Sequence, residues 1–266
     1  MPLSNVEYVA LRLVRKFLFT DASLMRIGRL LPYYQANIGM QSPYPIVQGW
    51  GRALGGAEPY RGVRILELGS GATNSAAYCL ASQGAERVYA VEPFRSLDAA
   101  ADSIALRTVA ADAGCVPDDL AARVARIGNV EDVDEASIDL VVSHSVLEHL
   151  SEPEAVLRSL DRVLAPGGCM CHAVDFRDHF FKYPFHFLQF EKHTWTRWLD
   201  PGDLPRWRLS DYLRLFDKLG YRAEVPVQES DAAGYAKIRD RVSKDFDRDD
   251  PTMSVTLVTL VARRAA

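Results

Sequence analysis

A short β-branched run at residues 63–68 ends in Gly69-Ser70-Gly71, and the Ala-rich stretch 73–83 that follows stops at Gly84. That pattern reads as strand, glycine turn and helix. Residues 87–91 continue as a second strand, 96–113 as a helix, 123–127 as a third strand and 138–143 as a fourth. In the fourth, Leu140, Val141 and Val142 run without polar interruption. Strands separated by helical crossovers call for a parallel sheet covered on both faces, and a strand buried on both faces has no reason to alternate. Ser151 and Glu154 have capping-box spacing ahead of Val156, Leu157, Leu160, Val163 and Leu164, which share one helical face. Pro166-Gly167-Gly168 stands as the stop of that helix. A fifth strand is expected over 168–175, a helix over 210–219, and sixth and seventh strands over 221–227 and 253–262, the last two as an antiparallel pair.

Residues 1–60 have a different texture. An amphipathic helix is expected over 6–18, followed by a Pro, Tyr and Gly-rich stretch through Ser42-Pro43-Tyr44-Pro45 to Gly56, and together they should cap the ligand-binding edge of the sheet. Arg12, Arg15 and Lys16 beside Leu11, Leu13, Phe17 and Leu18 would suit an anionic membrane surface, but apolar helix faces usually meet core, so docking on the main domain is preferred. A second unusual stretch runs from 176 to 209. It carries nine aromatics between Phe176 and Trp198, is too long for an ordinary connection, and reads as an inserted lid.

Composition narrows the classes. The chain has 266 residues, 48% hydrophobic and 25% charged, enough for a sizeable core and against disorder or a fibre. With 31 Lys plus Arg against 35 Asp plus Glu, the net charge of −4 is not the footprint of a general nucleic-acid binder. The four cysteines, Cys79, Cys115, Cys169 and Cys171, include no CxxC pair, which fits free thiols in a reducing compartment. No apolar run approaches a transmembrane span and the amino terminus lacks a signal-peptide pattern, so a cytoplasmic location without stable membrane insertion is expected.

The glycine turn is where chemistry is first expected, because ligands of open α/β sheets settle beyond the carboxyl ends of the strands. Gly69 permits the tight turn and Gly71 lets a ligand approach backbone N–H groups. Glu92, at the end of the second strand, can accept both hydroxyls of a ribose. The dinucleotide fingerprint wants a third small residue where this chain has Asn74, and the negative charge of Glu67 beside the turn would repel a pyrophosphate while suiting an ammonium. A cationic cofactor with adenosine and methionine-like parts fits best.

These residues resemble the class I S-adenosylmethionine-dependent methyltransferases, in particular the small-molecule group. The resemblance is carried by Ile65-Leu66-Glu67-Leu68-Gly69-Ser70-Gly71, Val91-Glu92-Pro93, Gly128-Asn129-Val130-Glu131, Ile138 to Ser143 with Val146-Leu147-Glu148-His149-Leu150, and Leu157 to Gly168. It implies a Rossmann-like doubly wound α/β fold with a seven-stranded, mostly parallel sheet and an antiparallel last strand. Residues 1–60 would form a helical N-terminal cap and residues 61–266 the methyltransferase domain, with the lid inserted at 176–209 after strand 5. It further implies that Glu67, Gly69, Ser70 and Gly71 line the methionine part of S-adenosylmethionine, Glu92 and Pro93 the ribose, and Asn129 and Val130 the adenine, with Ser143 at the methionyl end. Asn129 departs from the family, which more often has Asp there; an amide both donates and accepts.

All six histidines fall between His144 and His193. A hydroxyl acceptor needs a base, and imidazole is matched to neutral pH. His179, just after the fifth strand, is the first candidate, with His144 and His149 behind it. Asp175, Asp178 and His179 match no recognised metal template, so no metal site is assigned. Cys169 and Cys171 read as structural thiols, and Arg206-Trp207-Arg208 either greets an anionic acceptor or is a solvated loop. The expected activity is methyl transfer to a small-molecule hydroxyl on a sugar, polyketide or phenol, by a monomer or homodimer that does not act on nucleic acid. The alternatives are an NAD-dependent oxidoreductase or epimerase, against which Asn74 and the lack of a Tyr-x-x-x-Lys pair argue, and a noncatalytic scaffold.

Overall fold

The computed structural model describes residues 3–18, 42–178, 182–200, 202 and 204–265. Each strand that the pattern predicts forms. β1 (Arg64–Leu68), β2 (Arg87–Val91), β3 (Val124–Ile127), β4 (Ile138–His144), β5 (Leu164–Asp175), β6 (Tyr221–Ser230) and β7 (Val255–Arg264) make one sheet. Its order is β3-β2-β1-β4-β5-β7-β6. The first five strands pair in parallel, and β7 runs antiparallel between β5 and β6. Strand order reverses between β1 and β4, which places a crevice beyond their carboxyl ends.

The two sheet faces are covered by different helices because successive strand residues point to opposite sides. Leu66, Val141, Met170 and Leu260 pack with Leu157 and Leu160 of α6 (Pro153–Val163) and with Tyr212 and Phe216 of α7 (Leu209–Lys218). On the other face Ile65, Leu140, Val142 and Cys171 meet Val47 and Trp50 of α2 (Pro43–Leu54) and Ala77 and Leu80 of α3 (Ser75–Ser82). Val109 of α4 (Ala99–Ala113) joins them.

The stretch around Pro43 is helical: Pro43 occupies N1, and Pro45 lies in the first turn, where the missing N–H costs no intrahelical bond. Val47 and Trp50, three apart, then reach the core. The Ser151–Glu154 capping box does not form. Glu152 is the N-cap, Pro153 starts α6, and Glu154 pairs instead with Arg158 (2.8 Å) and Lys218 (2.7 Å). Pro166-Gly167-Gly168 lies inside β5, which begins at Leu164 directly after α6, where the β4–β5 register shifts.

The helix α1 (Leu3–Leu18) docks on the segment that follows β5. It does so through a mixed face: Tyr8, Val9 and Leu13 pack on the aromatic cluster of that segment, and polar side chains bond beside them. Asn5 Nδ2 donates to Gln189 Oε1 (3.0 Å) and Lys16 Nζ to the Thr196 carbonyl (2.8 Å), while Arg12 and Tyr8 both bond Asp178, deeply buried. The Arg12 guanidinium lies 4.9 Å from the Trp195 ring centroid. Among the described residues, no helix is long and apolar enough to cross a membrane.

The aromatics of the 182–200 segment mostly face one another. Tyr183, Phe185, Phe187 and Trp195 form a third buried cluster with Tyr8 of α1 and with Tyr235, Ile238, Val242 and Met253. These rings are therefore spent on a small core of their own. Arg206 and Arg208 are neither solvated nor presented to a ligand. Arg206 donates to the carbonyls of Phe187 and Phe190, and Arg208 to those of Phe176, Met253 and Val255. Burial lowers both guanidinium pKa values to about 10.

Candidate active site

The turn after β1 is built by two left-handed glycines. Gly69 has φ +80°, and a Cβ there would fall 2.4 Å from Cγ2 of Val146, so the loop after β4 rests directly on glycine backbone. Gly71 has φ +72° and open space where a side chain would lie. The Gly69 N–H reaches the Val91 carbonyl (2.9 Å), which ties the turn to the end of β2.

Two carboxylates flank this turn, in different states. Glu92 accepts the Gly71 N–H through Oε2 (2.8 Å) and those of Phe94 and Arg95 through Oε1 (3.0 and 3.1 Å). Glu67 is buried, and its Oε2 has no hydrogen-bond partner among the described residues. Burial raises its pKa to about 7; the Arg126 charge opposes the rise and the Glu92 charge adds to it.

Arg126, near the end of β3, is a component of this site that sequence reasoning missed. It donates to Ser70 Oγ (3.1 Å), Asn74 Oδ1 (3.1 Å), the Gly71 carbonyl (2.7 Å) and the Arg95 carbonyl (2.9 Å). Its only signal in the sequence is a charge inside a strand of small and apolar residues. Its presence also corrects the charge argument made from Glu67 alone: the turn carries a cation on one side and acids on the other. Asn74, the departure from the dinucleotide fingerprint, is buried, and its N–H is held by Asp102 (2.7 Å).

The remaining expected positions are spread along the strand ends. Pro93 and Asn129 are exposed, Asn129 N–H bonding Asp132 Oδ2 (3.3 Å), and Val130 is buried below. Ser143 pairs with Leu68 across β1 and β4, but its hydroxyl is engaged with His172 Nδ1 (2.8 Å) and its carbonyl accepts Trp50 Nε1 (3.0 Å).

The histidines do not form one cluster. His144 ends β4 with part of its ring open to solvent, and desolvation lowers its pKa while Asp175 opposes the fall. His149 lies in the helical turn 147–149, and His179 falls outside the described residues. Burial drives His172 down to about 3, whereas His186 packs at a tilt against Tyr183 (4.5 Å between centroids) and His193 is exposed. Asp175 is ion-paired with Arg177 (2.7 Å) and Asp178 with Arg12. Among the described residues, no three His, Cys, Asp or Glu side chains converge as metal ligands. Glu148, also missed, is buried, accepts the Asp175 N–H (3.2 Å), and has its pKa raised to about 8 by desolvation.

Strand order, switch point and an acid-flanked glycine turn together define a class I methyltransferase fold. Residues 66–172 match the family described as a methyltransferase domain. No curated protein matches the chain in sequence. Among solved structures, Haemonchus contortus phosphoethanolamine N-methyltransferase 2, in complex with phosphomonomethylethanolamine and S-adenosylhomocysteine, is similar in fold. Its TM-score is 0.56 at 16% identity, over 96% of this chain and 60% of that one. Burkholderia thailandensis 1,6-didemethyltoxoflavin-N1-methyltransferase gives 0.49 at 16%, over 92% and 89%. An S-adenosylmethionine-dependent methyltransferase from Mesorhizobium loti gives 0.46 at 16%, over 85% and 99%.

Proposed function

We propose that this enzyme methylates a hydroxyl of a small molecule, with S-adenosylmethionine held in the crevice between β1 and β4. The observation that carries the reading is the buried Glu67 carboxyl beside the Gly69–Gly71 turn. Its Oε2 is an acceptor without a partner among the described residues, as an amino-acid ammonium requires, and Gly71 leaves open space beside it. Glu92 and Pro93 take the ribose in this reading, Asn129 and Val130 flank the adenine, and the backbone of Ser70 and Ser143 lines the methionine part. When bound, the cofactor supplies an activated methyl for one-step in-line displacement. The protein's tasks are then to align the acceptor, exclude water and receive a proton. His144, kept neutral at pH 7 by desolvation and seated at the β4 end, is the described residue best suited to receive it, with His179 and His149 as the other candidates. Residues 1–60 and the 176–209 insertion would shape the acceptor side.

Calorimetric titration with S-adenosylhomocysteine and, separately, NAD tests this. Binding of S-adenosylhomocysteine, weakened at least about tenfold by Glu92→Ala, is expected. NAD binding alone would overturn it.

A further inference from the structure

Gly71 is gripped at both ends of its own residue. Its N–H goes to Glu92 and its carbonyl to Arg126, so a β2 acid and a β3 cation fix the orientation of both peptides that a ligand in the crevice would meet. The same guanidinium holds Ser70 and Asn74 on the glycine-turn side and the Arg95 carbonyl on the loop after β2. Four acceptors from two separate loops thus converge on one side chain that reaches in from a third strand.

We propose that Arg126 is a positioning residue for the methyl donor: it holds the Gly69–Gly71 turn in its binding shape and locks it to the loop carrying Glu92. This rests on the assignment of the crevice to S-adenosylmethionine. Gly71, with φ +72° and no side chain, has little of its own to fix its peptide orientation. Glu92 pulls on the N–H alone, and two of the loop contacts it makes, to Phe94 and Arg95, belong to its own strand end. Only Arg126 among the described residues bonds both the turn carbonyl and the β2 loop. A planar guanidinium with five donors suits that geometry, whereas a lysine ammonium keeps the charge and fewer of the directions.

The test is binding of S-adenosylhomocysteine and of methylthioadenosine, which lacks the amino-acid part, to wild type, Arg126→Met and Arg126→Lys, with melting temperatures measured alongside. Arg126→Met is expected to weaken S-adenosylhomocysteine about tenfold or more and methylthioadenosine less, with Arg126→Lys between wild type and Met. Should Arg126→Met not fold, Ser70→Ala combined with Asn74→Ala removes two of its acceptors and is expected to give a smaller loss in the same direction. Equal affinities in wild type and variants, or parallel losses for both ligands that track the melting temperature, overturn the positioning role. Failure of the wild type to bind S-adenosylhomocysteine overturns the cofactor assignment instead.

Discussion

Glu67 shows how one buried side chain can set the conditions under which a site works. With its pKa raised to about 7, it holds a proton in much of the protein at neutral pH, and an ammonium seated against it would drive that proton off. Affinity for S-adenosylhomocysteine is therefore expected to rise with pH up to about 7, by up to tenfold per unit, and to level off above. Titration in buffers of different ionisation enthalpy should register release of about one proton per ligand near pH 6 and close to none above pH 8. The groups that act on Glu67 are Arg126 and Glu92, so Glu67→Gln should abolish the proton release while both remain. A flat profile in the wild type would remove Glu67 from the ligand's ammonium. Along the chain, Glu67 is legible only as an acid beside a glycine turn; its protonation state follows from how completely α3 and the sheet enclose it.

At the scale of elements, the attachment of α1 turns on a polar seam. Arg12, Tyr8 and Asp178 meet where a leucine face was expected, while Val6, Val14, Phe17 and Leu18 stay exposed. Removing a buried cation costs more than the pair contributes, because the acid left behind keeps its desolvation penalty. Arg12→Met is expected to destabilise by about 3 kcal/mol in urea unfolding, and adding Asp178→Leu to recover much of that loss. If the double variant is as unstable as the sum of the singles, the seam is not what holds the helix. Helix periodicity located α1 and α6 well, since the 3.6-residue repeat is local. It could not say that a buried ion pair would join Val9 and Leu13 in docking α1, because the partner residue lies 166 positions away. The same holds for α2, whose prolines take first-turn positions and whose Val47 and Trp50 reach a core shared with distant strands.

For the whole molecule, three buried titratable groups away from the surface give stability a characteristic pH dependence. Glu148, raised from 4.5 to about 8, is protonated in folded and unfolded states below about 4.5, and its contribution to stability is lost progressively as pH rises from there to about 8, because the unfolded chain gives up the proton first. His172, lowered to about 3, contributes stability that is full above about 6.5 and is lost as pH falls from there toward 3, since only the unfolded chain takes up the proton. Glu67 adds a loss over the narrower window from about 4.5 to about 7. Glu148→Gln is thus expected to raise the melting temperature at pH 9 by on the order of several degrees and to leave it nearly unchanged at pH 5, by calorimetry. Equal shifts at both pH values would mean that packing, not charge, governs the site. The succession of strands and helices, from which the parallel sheet follows, the glycine turn and the acid at the end of β2 were all legible in the sequence, because each shows in a pattern within a turn or a strand length. The tertiary structure alone decided that Arg126 clamps the turn, that Ser143 faces His172, and that the aromatics after β5 bury one another. Those contacts join residues from distant elements, and no periodicity along the chain encodes which side chains will share a volume from which water is excluded.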